Sequence, residues 1–351
     1  NHDFKFGGVV TVMDLTDASN NLSDNGSTIA DWERLVKAMF NSVGLNNGFK
    51  PRIVNQHQYL PNFLTWASNN DLPVRGHLLI WPGTGDVEDM DAPGAVLGVD
   101  YGRHLTESTT SAFATQNVSG AVETYKASPR AQADKDALKA VVDAEIIEWA
   151  SEWDVFEWDV INETLSNRLI MDILGYDQMA HWFHLAEANM PNASTKLFIN
   201  EFQLASARFT GSAYATRRDT YFDRIDNLLS PPAPLDPTAT QVLPAPVDGI
   251  GFQSRFRFLE DYDPAVVSAR IVEFATRYPS LEQAYDETTR AQVTEEVLTV
   301  YFSHDQVTGM NAWDVANPQP DGTDSAYSRS MFYYGDGPGG IDGPIVKLNA
   351  L

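Results

Sequence analysis

Strand-like and helix-like segments take turns along nearly the whole chain, and that alternation leaves few architectures open. Phe6–Met13 (FGGVVTVM), Pro73–Trp81 (PVRGHLLIW), Phe156–Ile161 (FEWDVI), Lys196–Asn200 (KLFIN), Gly249–Gln253 (GIGFQ) and Val307–Trp313 (VTGMNAW) read as strands. Thr28–Val43, Tyr59–Asn70, Asp134–Trp149, Tyr176–Met190, Thr216–Leu229, Pro264–Thr276 and Ala291–Phe302 carry apolar residues at helical spacing. Such alternation predicts an α/β protein with a parallel sheet. Roughly eight strand–helix units fit the length, which predicts a (β/α)₈ barrel of one domain with enlarged loops. A doubly wound sheet is the rival, but it wants a glycine-rich turn after the first strand, and FGGVVTVMDL supplies none. The long loops are residues 82–128, rich in Gly, Asp, Ser and Thr, and the proline-dense residues 230–246. The tail Gly337–Leu351 is expected to close the barrel.

Composition removes several classes of function. Acidic residues number 48 and basic residues 24, a formal charge of −24 over 351 residues, so the field of the chain repels nucleic-acid backbones and anionic membranes. With no cysteine there is no disulfide, thiolate metal site or cysteine nucleophile. No metal-ligand spacing stands out, and the acidic run Asp14–Ser27 lacks the ordered spacing of a calcium loop. The sequence begins at Asn1 rather than Met, so an upstream leader is expected to have been removed, and the acidic, cysteine-free composition suits a secreted, periplasmic or cell-surface protein. A monomer is expected.

In a barrel of this kind the chemistry sits at the C-terminal ends of the strands. The residues there are His77 and Trp81, Asn162 and Glu163, Asn200 and Glu201, Gln253 and Arg255, and Trp313 and Asp314. Carboxylates, amides and tryptophans predominate. Flat rings that stack on sugar faces, with acids and amides that bind hydroxyls, are the chemistry of a carbohydrate site.

Several segments then carry a resemblance. Trp158–Glu163 (WDVINE) resembles the WDVxNE signature of glycoside hydrolase family 10, the retaining endo-xylanases. In the same order, Asn47–Lys50 (NGFK) is similar to the family's NxMK, Val74–Trp81 (VRGHLLIW) to RGHxLxW, Leu197–Phe202 (LFINEF) to LxxNDY, Val247–Gln253 (VDGIGFQ) to xDGIGxQ, and Phe302–Trp313 (FSHDQVTGMNAW) to FSHPxVxGxxxW. The resemblance implies a barrel enzyme without a cofactor, acting on β-1,4-xylan or a related polysaccharide or oligosaccharide. It implies Glu163 as acid/base, Asn162 on the hydroxyl at sugar C2, Gln253 orienting the nucleophile, and His77, Lys50 and Asn47 on further hydroxyls. Trp81 and Trp313 would stack on sugar rings, and Glu201 and Arg255 complete the substrate-binding set.

The departures are specific. Pro82 follows Trp81 where many members carry His, Arg255 stands where His is usual, Asn46 where Glu is usual, Glu201 where Asp is usual, and Ala316 lies near the place of a missing second tryptophan. Arg255, a planar cationic donor, would suit either an ion pair with Glu282 or Glu163 or an acidic substituent on the substrate. The family carries its nucleophile in a strand written ITExD. Here the segment is YPSLEQAYD, and Glu282 falls at the right distance from Gln253, in surroundings that read equally well as a helix start. Strand seven is expected to be truncated or displaced. Retaining hydrolysis needs two carboxyl groups ~5–5.5 Å apart, and Glu163 with Glu282 is the expected pair. A glycan-binding relative that has lost its nucleophile, and a hydrolase shifted to a decorated or anionic glycan such as an algal one, are the alternatives.

Overall fold

A computed structural model describes residues 4–10, 36–45, 48–49, 59–81, 132–165, 168–202, 204–254, 262–287, 297, 299–312, 316–317, 332–333 and 346–347. Eight strands close into a barrel in chain order: β1 Lys5–Val10, β2 Ser42–Leu45, β3 Val74–Ile80, β4 Glu157–Asn162, β5 Lys196–Phe202, β6 Gly249–Ser254, β7 Glu282–Glu287 and β8 Val307–Ala312. Every neighbouring pair is parallel, and β8 returns to β1 in the register Lys5↔Gly309 through Gly8↔Ala312. Helices occupy the connections: α1 Leu60–Asn69, α2 Gln132–Glu152, α3 Leu169–Leu174, α4 Gln178–Asn189, α5 Gly211–Leu229 and α6 Pro264–Arg277. The alternation therefore does yield the expected (β/α)₈ barrel.

The strands are covered on both faces, by helices outside and by facing side chains within, so they are buried almost throughout. All six residues of β4 are buried, polar ones included. Its Trp158 meets the edge of Phe49 at 5.3 Å and lies flat over Gly76 of β3, where an added Cβ would stand 2.2 Å from the indole ring. Only glycine permits that approach. Helix α6 shows its start signals plainly: Asp263 accepts from the N–H groups of Ala265 (2.9 Å) and Val266 (3.3 Å), and Pro264 occupies the first turn, where its missing N–H costs nothing. Among the described residues no helix is long and apolar enough to cross a membrane.

Three expectations need correction. The helix assigned to Thr28–Val43 runs into β2, because SVGL continues the apolar pattern and four residues are too few to show a change of period. Strand seven is whole: β7 pairs along its length with β6, from Gly249↔Glu282 to Ser254↔Glu287, and with β8. The tail does not close the barrel, which β8 and β1 close instead; Val346–Lys347 (β11) joins Phe332–Tyr333 (β10) and Ala316–Asn317 (β9) in a separate three-stranded sheet. The proline-dense stretch is a loop between α5 and β6, and β5 and β6 on either side of it are neighbours in the barrel. Residues 82–128 lie outside the described residues.

Candidate active site

The register of β3 and β4 builds a charged layer. Arg75 stands opposite Glu157 and His77 opposite Asp159. Arg75 bridges both acids, with Nε 2.6 Å from Glu157 Oε1 and one terminal nitrogen 2.7 Å from Asp159 Oδ1. Asp159, wholly buried, also receives His77 Nδ1 at 2.6 Å and the amide of Asn200 at 3.3 Å. A carboxylate only accepts, so Nδ1 of His77 carries the hydrogen of that bond. His77 is thus oriented by Asp159 from below, and the peptide that follows it is cis.

One level above, Gln253 of β6 donates its amide across β5 to Asn162 Oδ1 at 2.9 Å. That bond uses the acceptor of Asn162 and leaves its buried Nδ2 without a partner among the described residues. An unmatched donor in such a place costs free energy until something polar meets it. Glu163 follows directly. It is partly buried, has φ +56°, and donates its N–H to the carbonyl of Asn200 at 2.8 Å. Trp81, partly buried, follows the end of β3.

Glu201 does not line a binding surface. It is fully buried, its Oε2 accepting from Leu165 N–H (2.8 Å) and Thr164 Oγ1 (3.3 Å) and its Oε1 from the N–H of Phe202 (2.9 Å). Its expected place in the substrate-binding set is corrected accordingly: its oxygens are taken up within the protein. Burial pushes its carboxyl up to about 8, and the charge of Glu163 adds to the rise; the N–H groups of Phe202 and Leu165 and the charge of Arg217 oppose it without cancelling it. The folded chain therefore holds a proton that the unfolded chain, with an ordinary value of 4.5, has released. Stability from this group is complete below pH 4.5 and is lost as pH rises through 8. Thermal unfolding between pH 5 and 8 is expected to show wild type losing a few kcal/mol relative to Glu201→Gln, which has no such proton. Parallel curves for the two proteins would refute the shift.

Glu282 is also misplaced by the sequence reading. It opens β7, so it lies at the N-terminal end of the strands, whereas Glu163 follows the last residue of β4 at the other end. There it holds Lys196, the first residue of β5, through both carboxylate oxygens (2.5 and 2.6 Å) and accepts from Thr308 Oγ1 at 3.0 Å. That is an ion pair tying the barrel floor together. The acids at the C-terminal end of β7 are Asp286 and Glu287, and the register sets Asp286 opposite Gln253 and Asn311, Glu287 opposite Ser254 and Ala312. Asn47, Lys50, Arg255 and Trp313 lie outside the described residues. Asn162, Glu163 and Gln253 come together at the upper end of β4 and β6, and His77 lies in the layer below them.

The sequence reading assigns no role to Arg75 or Asp159, although both lie inside quoted segments, and names Asn200 only among the strand-end residues. The signal was present in the spacing, since Arg75 and His77, like Glu157 and Asp159, are two apart and share a strand face. Among the described residues no group of three or more His, Asp or Glu is placed to hold a metal ion.

Comparison with known proteins meets this geometry. The barrel superposes on an intracellular xylanase from Thermoanaerobacterium saccharolyticum in complex with xylotriose (TM-score 0.60, 15% identity, 95% of this chain and 94% of that one). A thermostable mutant of a xylanase from Cellvibrio japonicus gives a TM-score of 0.59 at 16% identity, covering 94% and 93%. A fungal β-1,4-galactanase gives 0.51 at 11%, covering 93% and 94%. At such identities these likenesses speak for the fold alone. No curated protein sequence matches the chain significantly. The family model described as Glycosyl hydrolase family 10 does match, over residues 123–320. That stretch is more than half of the chain and contains β4 to β8, with Asn162, Glu163 and Gln253 in it, so the chain belongs to glycosyl hydrolase family 10.

Proposed function

We propose that the protein is a retaining endo-hydrolase of β-1,4-xylan or a closely related β-linked polysaccharide. The observation that carries this reading is the buried Nδ2 of Asn162 immediately before Glu163, a donor with no partner among the described residues. In this reading Glu163 gives its proton to the leaving glycosidic oxygen while a carboxylate at the end of β7 bonds to the anomeric carbon and the C–O bond breaks. Asp286, level with Gln253, is the candidate for that carboxylate. Water then attacks the glycosyl–enzyme bond, Glu163 takes its proton, and the carboxylate is released with the configuration retained. Asn162 Nδ2 supplies a hydrogen bond to the C2 hydroxyl that strengthens as charge develops on the ring. His77, oriented by Asp159, is assigned to a further hydroxyl in keeping with the family resemblance.

The complete β7, with two acids at its upper end, favours an enzyme over a relative reduced to binding. The family match, with the motifs that resemble the endo-xylanases of that family, supports the choice of xylan. The proposal includes a monomer, and an enzyme acting outside the cytoplasm, the latter supported by the acidic, cysteine-free composition. The test is reducing-sugar release from a panel of xylan, arabinoxylan, β-1,4-galactan, cellulose and sulfated algal glycans. Xylan is expected to be cleaved to short oligosaccharides. Cleavage of an anionic algal glycan with xylan untouched moves the substrate to the decorated class, and no release from any member of the panel ends the hydrolase reading.

A further inference from the structure

The turn that carries Glu163 out of β4 is gripped by the end of β5. Glu163 is in the left-handed region at φ +56°, a conformation that a side chain with a Cβ adopts only when its surroundings impose it. Two consecutive residues of β5 impose it. The carbonyl of Asn200 takes the N–H of Glu163 itself, and the carboxyl of Glu201 takes the N–H of Leu165 and the hydroxyl of Thr164. The second oxygen of Glu201 takes the N–H of Phe202, which sets the plane of the carboxyl group. Thr164 and Glu201 are both wholly buried, so water does not compete for these bonds. The length of the side chain matters as well. The carboxyl has to cross from β5 to the turn after β4, and aspartate is shorter by one methylene, about 1.5 Å.

We propose that Glu201 is a positioning residue for Glu163: by clamping the two residues after it, the Glu201 carboxyl holds the acid at the distance from the glycosidic oxygen at which a proton passes. The proposal rests on the reading of Glu163 as the acid. It assigns Glu201 no contact with substrate. Misplacement of a reacting group by 1 Å costs about 100-fold, so releasing the clamp has a measurable consequence even in a folded enzyme.

A positioning role and a merely structural one separate by leaving group. Cleavage of xylohexaose expels a sugar alcohol that must be protonated, whereas 2,4-dinitrophenyl β-xylobioside expels a phenolate that needs no acid. The quantity to measure is kcat/KM, which reports the bond-breaking half of the reaction. Glu163→Ala is the control and should lose about 10³-fold on xylohexaose and little on the aryl glycoside. Even when it holds its proton, Glu201 keeps a lone pair on each oxygen for the N–H groups of Phe202 and Leu165, whereas Glu201→Gln sets an NH₂ group, which accepts nothing, in place of one oxygen. It is expected to lose about 30–100-fold on xylohexaose and no more than about 3-fold on the aryl glycoside. Glu201→Asp, which keeps a carboxyl on a shorter arm, should fall between wild type and Glu201→Gln on the first substrate. Equal losses on both substrates, or loss on neither, overturn the positioning role while the Glu163→Ala control leaves the acid assignment standing. If Glu163→Ala itself shows no preference for the better leaving group, the underlying reading fails first. Failure of both Glu201 variants to fold counts against the proposal, because it shows the clamp to be a requirement of the barrel and not of the acid.

Discussion

Glu163→Ala is expected to reduce kcat/KM on xylohexaose about a thousandfold, the middle of the range, on a logarithmic scale, for loss of a general acid. Its backbone position is imposed by Asn200 and Glu201 and does not depend on its own carboxyl, so the variant should fold as wild type does. Added azide supplies the informative readout. A retaining enzyme without its acid/base still forms the glycosyl–enzyme bond from an activated substrate but has no base to activate water. Azide, which needs no base, then restores turnover and yields a glycosyl azide of β configuration. An α product would mean inversion, and no rescue at all would mean that Glu163 does not serve both halves of the reaction.

The second large effect distinguishes two acids on one strand. Asp286→Asn is expected to abolish hydrolysis, by roughly 10⁴-fold or more, because in the proposed mechanism it removes the carboxylate that bonds to the anomeric carbon. Glu282→Gln should leave kcat/KM within about twofold. Four residues, about 13 Å of extended chain, separate the two. Glu282 is engaged with Lys196 and Thr308 at the opposite end of the barrel from Glu163. Both partners of its ion pair are partly exposed, so breaking it should cost about 0.5–1 kcal/mol, visible as a lowered melting temperature. Loss of activity in Glu287→Gln with Asp286→Asn active would shift the nucleophile by one position along β7. Loss in Glu282→Gln at wild-type stability would overturn the placement altogether.

The uneven legibility of this barrel in its sequence has physical causes. WDVINE could be read because each of its residues answers to a strong local demand: a wholly buried tryptophan, a buried acid, two β-branched residues and the strand-end amide and acid. β7 could not. In EQAYDE, Glu282 at the floor and Gln283, which is buried and bonds to the carbonyl of Ile271, are satisfied by partners distant in the chain, and without them the stretch has the look of a polar helix start. β2 is too short for any period to show. Asp159 and Arg75 sit inside readable motifs, yet their pairing is a matter of cross-strand register, which no single segment contains. The long arm of Glu201 is visible in the sequence as a departure from aspartate, but its destination, the Leu165 N–H, belongs to another strand's turn.

The first and eighth strands meet hydrogen bond for hydrogen bond, so the ring of eight has no beginning or end. Removing Lys5–Val10 would therefore do more than shorten the chain. It would bare one flank of Ser42–Leu45 and one of Val307–Ala312, two rows of N–H and C=O groups with nothing to satisfy them. Rows of that kind recruit strands from other molecules, so a chain lacking its first strand should come out of solution as aggregates rather than as a weakened enzyme.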